Sequence, residues 1–176
     1  MLPPQQPIRR ELTPPMTSND IKTIMWKQGK ADALDLASRA PQMDSTAIIA
    51  EEDHIPAWNE NAVYTTKHVG FPVQDNGQVY TILMPHTPAH NPGYRPADLW
   101  AIYSLLHTTD PYRAKPWMPS YGTSGLYKLN EVCTYPNAQG VEHVWRNLWN
   151  DNEFPPLTLN VESRWEDLGA AARYGL

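Results

Sequence analysis

The sequence predicts a mainly β fold: two small antiparallel β modules in tandem, preceded by a helical segment and an extended proline-rich arm. Three observations carry that expectation. From residue 55 onward, short β-branched and aromatic runs alternate with turn residues. Two turns, Asp75-Asn76-Gly77 and Pro136-Asn137-Ala138-Gln139-Gly140, lie between such runs and read as hairpin connections. The aromatic residues flanking the two hairpins recur in the same order and at related spacings.

On this reading the chain has four parts. Residues 1–17 hold Pro3, Pro4, Pro7, Pro14 and Pro15. Proline fixes an extended backbone and removes donors, so this arm does not fold alone and is expected to be either disordered or laid along a partner surface. Residues 18–54 form a helical oligomerisation segment. Its first helix is expected over 18–40, capped by Ser18 or Asn19 and ended by Pro41. The apolar residues Ile21, Ile24, Met25 and Leu34 make a narrow stripe, weakened by Gly29, that cannot hold a helix unaided. They are the expected self-association face, with a trimer as the expected state. A short second helix over 46–52, capped by Ser45, precedes Pro56. The first module then spans residues 55–110 and the second 111–176.

The two modules align element by element. Trp58, after Pro56-Ala57, matches Trp117, after Pro116, and Tyr64 matches Tyr127. Val69 and Val132 each lie five residues beyond their tyrosine, and Gly77 and Gly140 each follow those valines by eight. Val79-Tyr80 matches Val144-Trp145 with two extra residues in the second copy. Trp100 and Trp165 follow Tyr80 and Trp145 by twenty residues each. Trp58, Tyr64, Tyr80, Trp100, Trp117, Tyr127, Trp145 and Trp165 are therefore the expected module cores. A thin module needs such side chains, because Trp and Tyr bury much apolar area and keep a polar edge.

This frame resembles the small chitin-binding-type carbohydrate-binding module, including tandem forms in bacteriophage virion proteins of head-fibre or tail-associated type. The resemblance rests on Ala57-Trp58, Gly77-Gln78-Val79-Tyr80, Met84-Pro85-His86-Thr87 and Pro96-Ala97-Asp98-Leu99-Trp100. It covers about residues 55–103 closely and 115–168 loosely. The family's glycine three residues after the tyrosine falls on Lys67 and Asn130 here, which puts the first copy's turn in question. The resemblance implies a non-enzymatic virion structural, decoration or fibre protein. Its arm would anchor on capsid or tail proteins and its modules on surface glycans. The alternatives are a carbohydrate-binding accessory protein or fragment of a secreted, extracellular glycan-degrading enzyme, and a pure assembly protein without sugar binding.

Sugar stacking needs a flat exposed ring, and Trp149 is the first candidate, flanked by Tyr121 and Tyr135. In the first copy the equivalent position is Met84. No catalytic residues are expected. Glu51-Glu52-Asp53-His54 reads as a solvated helix end, and Asp151 and Glu153 share a loop with no partner legible in the sequence. No metal or cofactor is expected, since His86, His90 and His107 lack ligand spacing and prolines forbid a helix around the first two. Cys133 reads as a buried, inert thiol in a strand.

Composition narrows the partners. The 176 residues carry 14 Lys+Arg against 19 Asp+Glu, a charge of -5, with no basic run for nucleic acid. No stretch is apolar enough for a membrane span, and one cysteine excludes an intramolecular disulfide. Met1-Leu2-Pro3-Pro4 lacks the apolar core of a signal peptide, so a protein that works outside a cell is expected to leave by another route, of which release inside a virus particle is one.

Overall fold

A computed structural model of the chain describes residues 17–89, 92–159 and 163–176. Nearly all of the proline-rich arm, residues 1–16, therefore lies outside the described residues. The first helix, α1 (Ser18–Arg39), is capped by Thr17, one residue before the earlier of the two expected caps. Thr17 Oγ1 accepts the Asp20 N–H at 3.2 Å while the Asp20 carboxylate accepts the Thr17 N–H at 2.9 Å. Thr17 wins over Ser18 and Asn19 because only it has an acid three residues on, which completes a reciprocal capping box.

In α1 only Leu36 and Ala37 are buried, and residues 17–31 are all exposed. Ile21, Ile24 and Met25 share one side of the helix. Leu34 follows Met25 by nine residues, which places it about 180° away. The expected stripe therefore has three members, and Leu34 faces elsewhere. The second helix, α2 (Ser45–Ala50), is capped by Asp44, whose carboxylate accepts the Ala47 N–H at 2.8 Å, and Ser45 is its first helical residue. Its Ile48 and Ile49 pack with Leu36, Ala40, Ile55 and Val79, which fastens the helical segment to the first sheet.

That sheet contains β1 (Pro72–Asp75), β2 (Gln78–Ile82) and β3 (Tyr103–Leu105), all antiparallel. The other contains β4 (Lys115–Pro116), β5 (Val132–Pro136), β6 (Glu142–Asn147) and β7 (Trp165–Ala170), with β4 parallel to β5 and the rest antiparallel. Helical residues outnumber strand residues, so the fold is mixed α/β and not mainly β. The strands are short, and 3-10 turns supply many of the connections.

Both sheets follow one plan. The Trp58 N–H bonds the Gln74 carbonyl at 2.7 Å, and the Trp117 N–H bonds the Thr134 carbonyl at 2.9 Å. Tyr64 exchanges two backbone bonds with His86, and Tyr127 does the same with Asn152. The Tyr64 hydroxyl accepts the Asn59 N–H, and the Tyr127 hydroxyl accepts the Met118 N–H. Gln74 pairs with Val79 as Thr134 pairs with Val144, and Val73 pairs with Tyr80 as Cys133 pairs with Trp145.

Three expected equivalences shift by a turn. Gly70, with φ +88°, donates to the Ile82 carbonyl at 2.8 Å, and Asn130, with φ +69°, donates to the Asn147 carbonyl at 2.8 Å. The left-handed residue is thus Gly70, six beyond Tyr64, and not Lys67, because an extra 3-10 turn (Thr66–His68) precedes it. The same insertion makes Pro72, not Val69, the counterpart of Val132; Val69 is half exposed outside the sheet. Four residues separate Gln74 from Val79 and nine separate Thr134 from Val144, so the second hairpin is longer by more than the two residues expected. Gly77 belongs to a two-residue turn, whereas Gly140 lies in the longer loop. Trp165 pairs with Asn147 as Tyr103 pairs with Ile82, so the counterpart of Trp165 is Tyr103. Trp100 lies three residues upstream, before β3, and packs half-buried against the first core.

The two sheets interlock across residue 110. Thr108 bridges to Val132, Gln78 Nε2 donates to the Pro116 carbonyl at 2.8 Å, and Met118 packs into the first core. His107 stacks on Tyr127 with centroids 3.7 Å apart, and its Nε2–H donates to the Gly125 carbonyl at 2.9 Å. Burial moves the His107 pKa from 6.5 down to about 4, so the folded protein keeps the imidazole neutral.

Two stability predictions follow from these contacts. The unfolded chain protonates His107 near its ordinary value and the folded chain only near the depressed one. Stability from this group is therefore complete above about pH 6.5 and lost as the pH falls towards 4, at most about 3 kcal/mol. Urea denaturation across that range should show a steeper acid loss for the native chain than for His107→Gln; equal slopes would remove His107 as the cause. Gly70→Ala should cost about 1–3 kcal/mol in the same assay, because it strains the backbone and drives a Cβ to 2.9 Å from Pro41 Cγ. Gly77→Ala, with nothing near its added Cβ, should cost less.

Candidate functional site

The β6–β7 connection builds the most developed surface feature. Its base is Asn147, which is fully buried. The two hydrogens of the Asn147 amide nitrogen are shared among the carbonyls of Tyr127, Lys128 and Trp149, all within hydrogen-bond range, and its oxygen accepts from Asn152 Nδ2 at 2.9 Å and from the Trp149 N–H at 3.3 Å. A buried amide that uses both ends this way holds a turn rigidly. The turn displays Trp149, which is 43% exposed. The Arg164 guanidinium lies 5.1 Å from the Trp149 ring centroid and 4.8 Å from that of Phe154. It is held between two aromatic faces.

The other two glycan candidates lie against different neighbours. Tyr121, 70% exposed, stacks on Trp100 with centroids 6.2 Å apart and an interplanar angle of 11°. Tyr135 is half-buried, packs edge-on to Trp117 at 6.1 Å, and accepts the Trp145 indole N–H on its carbonyl at 2.9 Å. No ring contact among the described residues joins Trp149, Tyr121 and Tyr135. Tyr64, Tyr80, Tyr127, Trp145 and Trp165 are buried, while Trp58, Trp100 and Trp117 are partly buried against the cores.

Beside the Arg164 wall lies an open cleft of about 400 Å³, bounded by Trp145, Phe154, Pro155, Leu157, Leu159 and Trp165. The Trp165 indole N–H donates to the Phe154 carbonyl at 2.9 Å and holds the loop against the sheet. Sequence reasoning missed the roles of Phe154, Leu157, Leu159 and Arg164. No periodic pattern marks them, and they meet only because the loop folds back on β7.

Several charged groups have partners that the sequence did not show. Glu52 is not a solvated helix end: its carboxylate pairs with Lys115 and links the helical segment to the second sheet. Glu51 pairs with Arg39 at 2.8 Å, and Asp151 pairs with Lys128. Glu153 is exposed and has no ion pair among the described residues. Burial raises the Glu131 pKa while its carboxylate accepts the Lys128 N–H at 2.6 Å. His143 Nδ1 lies 2.7 Å from Asp167 Oδ1 and its Nε2 lies 3.0 Å from Asn137 Nδ2, so both ring nitrogens brace the second hairpin. Cys133 is fully buried, and that burial pushes its thiol pKa well up, away from nucleophilic use. Among the described residues no three metal-binding side chains converge, and no helix is long and apolar enough to cross a membrane. No protein-family model and no curated protein matches the chain.

Proposed function

We propose that this chain is a structural, decoration or fibre protein of a phage particle, whose tandem modules contact surface glycans through Trp149. The observation that carries the reading is a twice-repeated strand plan around Trp58 and Trp117, with Trp149 displayed in the second copy on a buried asparagine. A pyranose ring stacks its less polar face on an exposed indole, and the neighbouring guanidinium supplies donors to its hydroxyls. Copy one offers Met84 at the equivalent place, 46% exposed, and so lacks a platform. The arm anchors the protein on capsid or tail proteins.

A second reading is a pure assembly protein. It is favoured by Arg164 lying over one face of Trp149 and by the engagement of Tyr121 with Trp100. A glycan array separates the two. The native protein should bind a subset of glycans, and Trp149→Ala should weaken that binding at least tenfold, with Tyr121→Ala changing it less. Absence of binding by the native protein would leave the assembly reading.

Self-association belongs to the same proposal. Four turns of α1 have no packing partner among the described residues, and a helix so placed is marginal in water. Sister copies of α1 cover Ile21, Ile24 and Met25 in the assembled protein, with three chains as the simplest closed ring. Sedimentation should give a multiple of the 20.0 kDa chain mass, and Ile24→Glu should shift it towards the monomer. A native protein that sediments as a folded monomer would end this part of the reading.

A further inference from the structure

The cleft beside Arg164 has one unmet demand. Most polar side chains that line it already spend their donors inside the protein. The Trp145 indole N–H donates to the Tyr135 carbonyl at 2.9 Å, and the Trp165 indole N–H to the Phe154 carbonyl at 2.9 Å. The Thr158 hydroxyl donates to the Pro155 carbonyl at 2.7 Å, and the Ser163 hydroxyl to the Trp165 carbonyl at 3.0 Å. Arg164 is the exception. Its guanidinium makes no hydrogen bond or ion pair among the described residues, and its Nε is buried without a partner. Trp149 and Phe154 meet it with their rings.

The described acids around it leave that charge unanswered. Glu166 pairs with Arg146 at 3.5 Å and Asp167 with His143 at 2.7 Å. Glu153, beside Phe154 in sequence, makes no ion pair among the described residues. The cleft thus sets one cation at the edge of an otherwise apolar surface. A neutral apolar occupant would cover the guanidinium and leave its donors unpaired, at a cost in free energy. A sugar would find side-chain donors only at Arg164 and would press its other oxygens against rings and alkyl groups. A carboxylate on an apolar body meets both conditions. Its two oxygens match the fork of a guanidinium, and its body lies on the walls. Trp145, Phe154 and Trp165 make those walls largely aromatic, which suits an aromatic body. The volume of about 400 Å³ falls among small-molecule sites.

We propose that the cleft is a binding site for a small aromatic carboxylate, with Arg164 as its anion partner. The ring enters between Trp145, Phe154 and Trp165, and the carboxylate accepts from the guanidinium. This goes beyond the glycan reading and does not rest on it, because Trp149 does not line the cleft.

Nuclear magnetic resonance titration of the full-length protein tests it, with cinnamate as the probe and its neutral amide, cinnamamide, as the control. Cinnamate should shift the indole N–H signals of Trp145 and Trp165 to saturation and leave that of Trp58 in place. Cinnamamide should bind at least tenfold more weakly, a comparison that needs no variant. Arg164→Gln should lower the cinnamate affinity at least tenfold while its other indole signals keep their native positions. No saturable shift at Trp145 and Trp165, equal affinity for acid and amide, or undiminished cinnamate binding by a folded Arg164→Gln would each overturn the proposal. Cinnamate binding with no glycan bound on an array would end the glycan reading alone, and glycan binding without a cinnamate site would end only this one.

Discussion

The structure depends on one tyrosine per module. Tyr64 and Tyr127 each join three stretches of chain. The backbone pairs with the loop that leaves the hairpin, the hydroxyl accepts an N–H beside the first tryptophan, and the ring fills the core. Burial raises both phenol pKa values, so each hydroxyl keeps its proton. A module of this size has too little interior to be held by aliphatic burial alone. One large side chain with a satisfied polar end gives it both apolar burial and a fixed position for its loops.

The two copies keep the frame and differ in how they finish it. In the first, Trp58 Nε1 donates to the Tyr103 hydroxyl at 2.9 Å, and His86 Nε2 meets the same hydroxyl. That chain ties the loop end to the sheet. In the second, Trp165 occupies the place of Tyr103 and brings no hydroxyl. The Trp117 indole N–H is then buried without a partner among the described residues. The loop is held by Asn147 and Asn152, where copy one has Ile82 and His86. This change lets the second loop carry Trp149 outward and open the cleft beside Arg164.

The modules do not act as separate beads. His107, Thr108, Met118 and Tyr121 cross between the sheets, and Glu52–Lys115 ties the helical segment to the second sheet. A neutral buried imidazole at the centre of that junction makes the joint sensitive to acid. By contrast, the first four turns of α1 have no such support among the described residues, and Ile21, Ile24 and Met25 are exposed.

The sequence by itself determined the order of parts: a proline-rich arm, a helix ending near Pro41, and two hairpins around Asn76-Gly77 and residues 137–141. It also showed that Trp58, Tyr64 and Val79-Tyr80 recur as Trp117, Tyr127 and Val144-Trp145. These are local signals, because turn chemistry and side-chain alternation act over a few residues. Only the tertiary structure decided the register. A 3-10 turn before Gly70 moved the counterpart of Val132 to Pro72, and a longer connection from Ile82 to Tyr103 than from Asn147 to Trp165 moved that of Trp165 to Tyr103; backbone pairing, not counting, fixes such shifts. The Arg164 cleft, the His143–Asp167 pair and the partners of Glu52 and Asp151 were equally hidden, since they join residues remote in sequence that only the folded chain brings into contact.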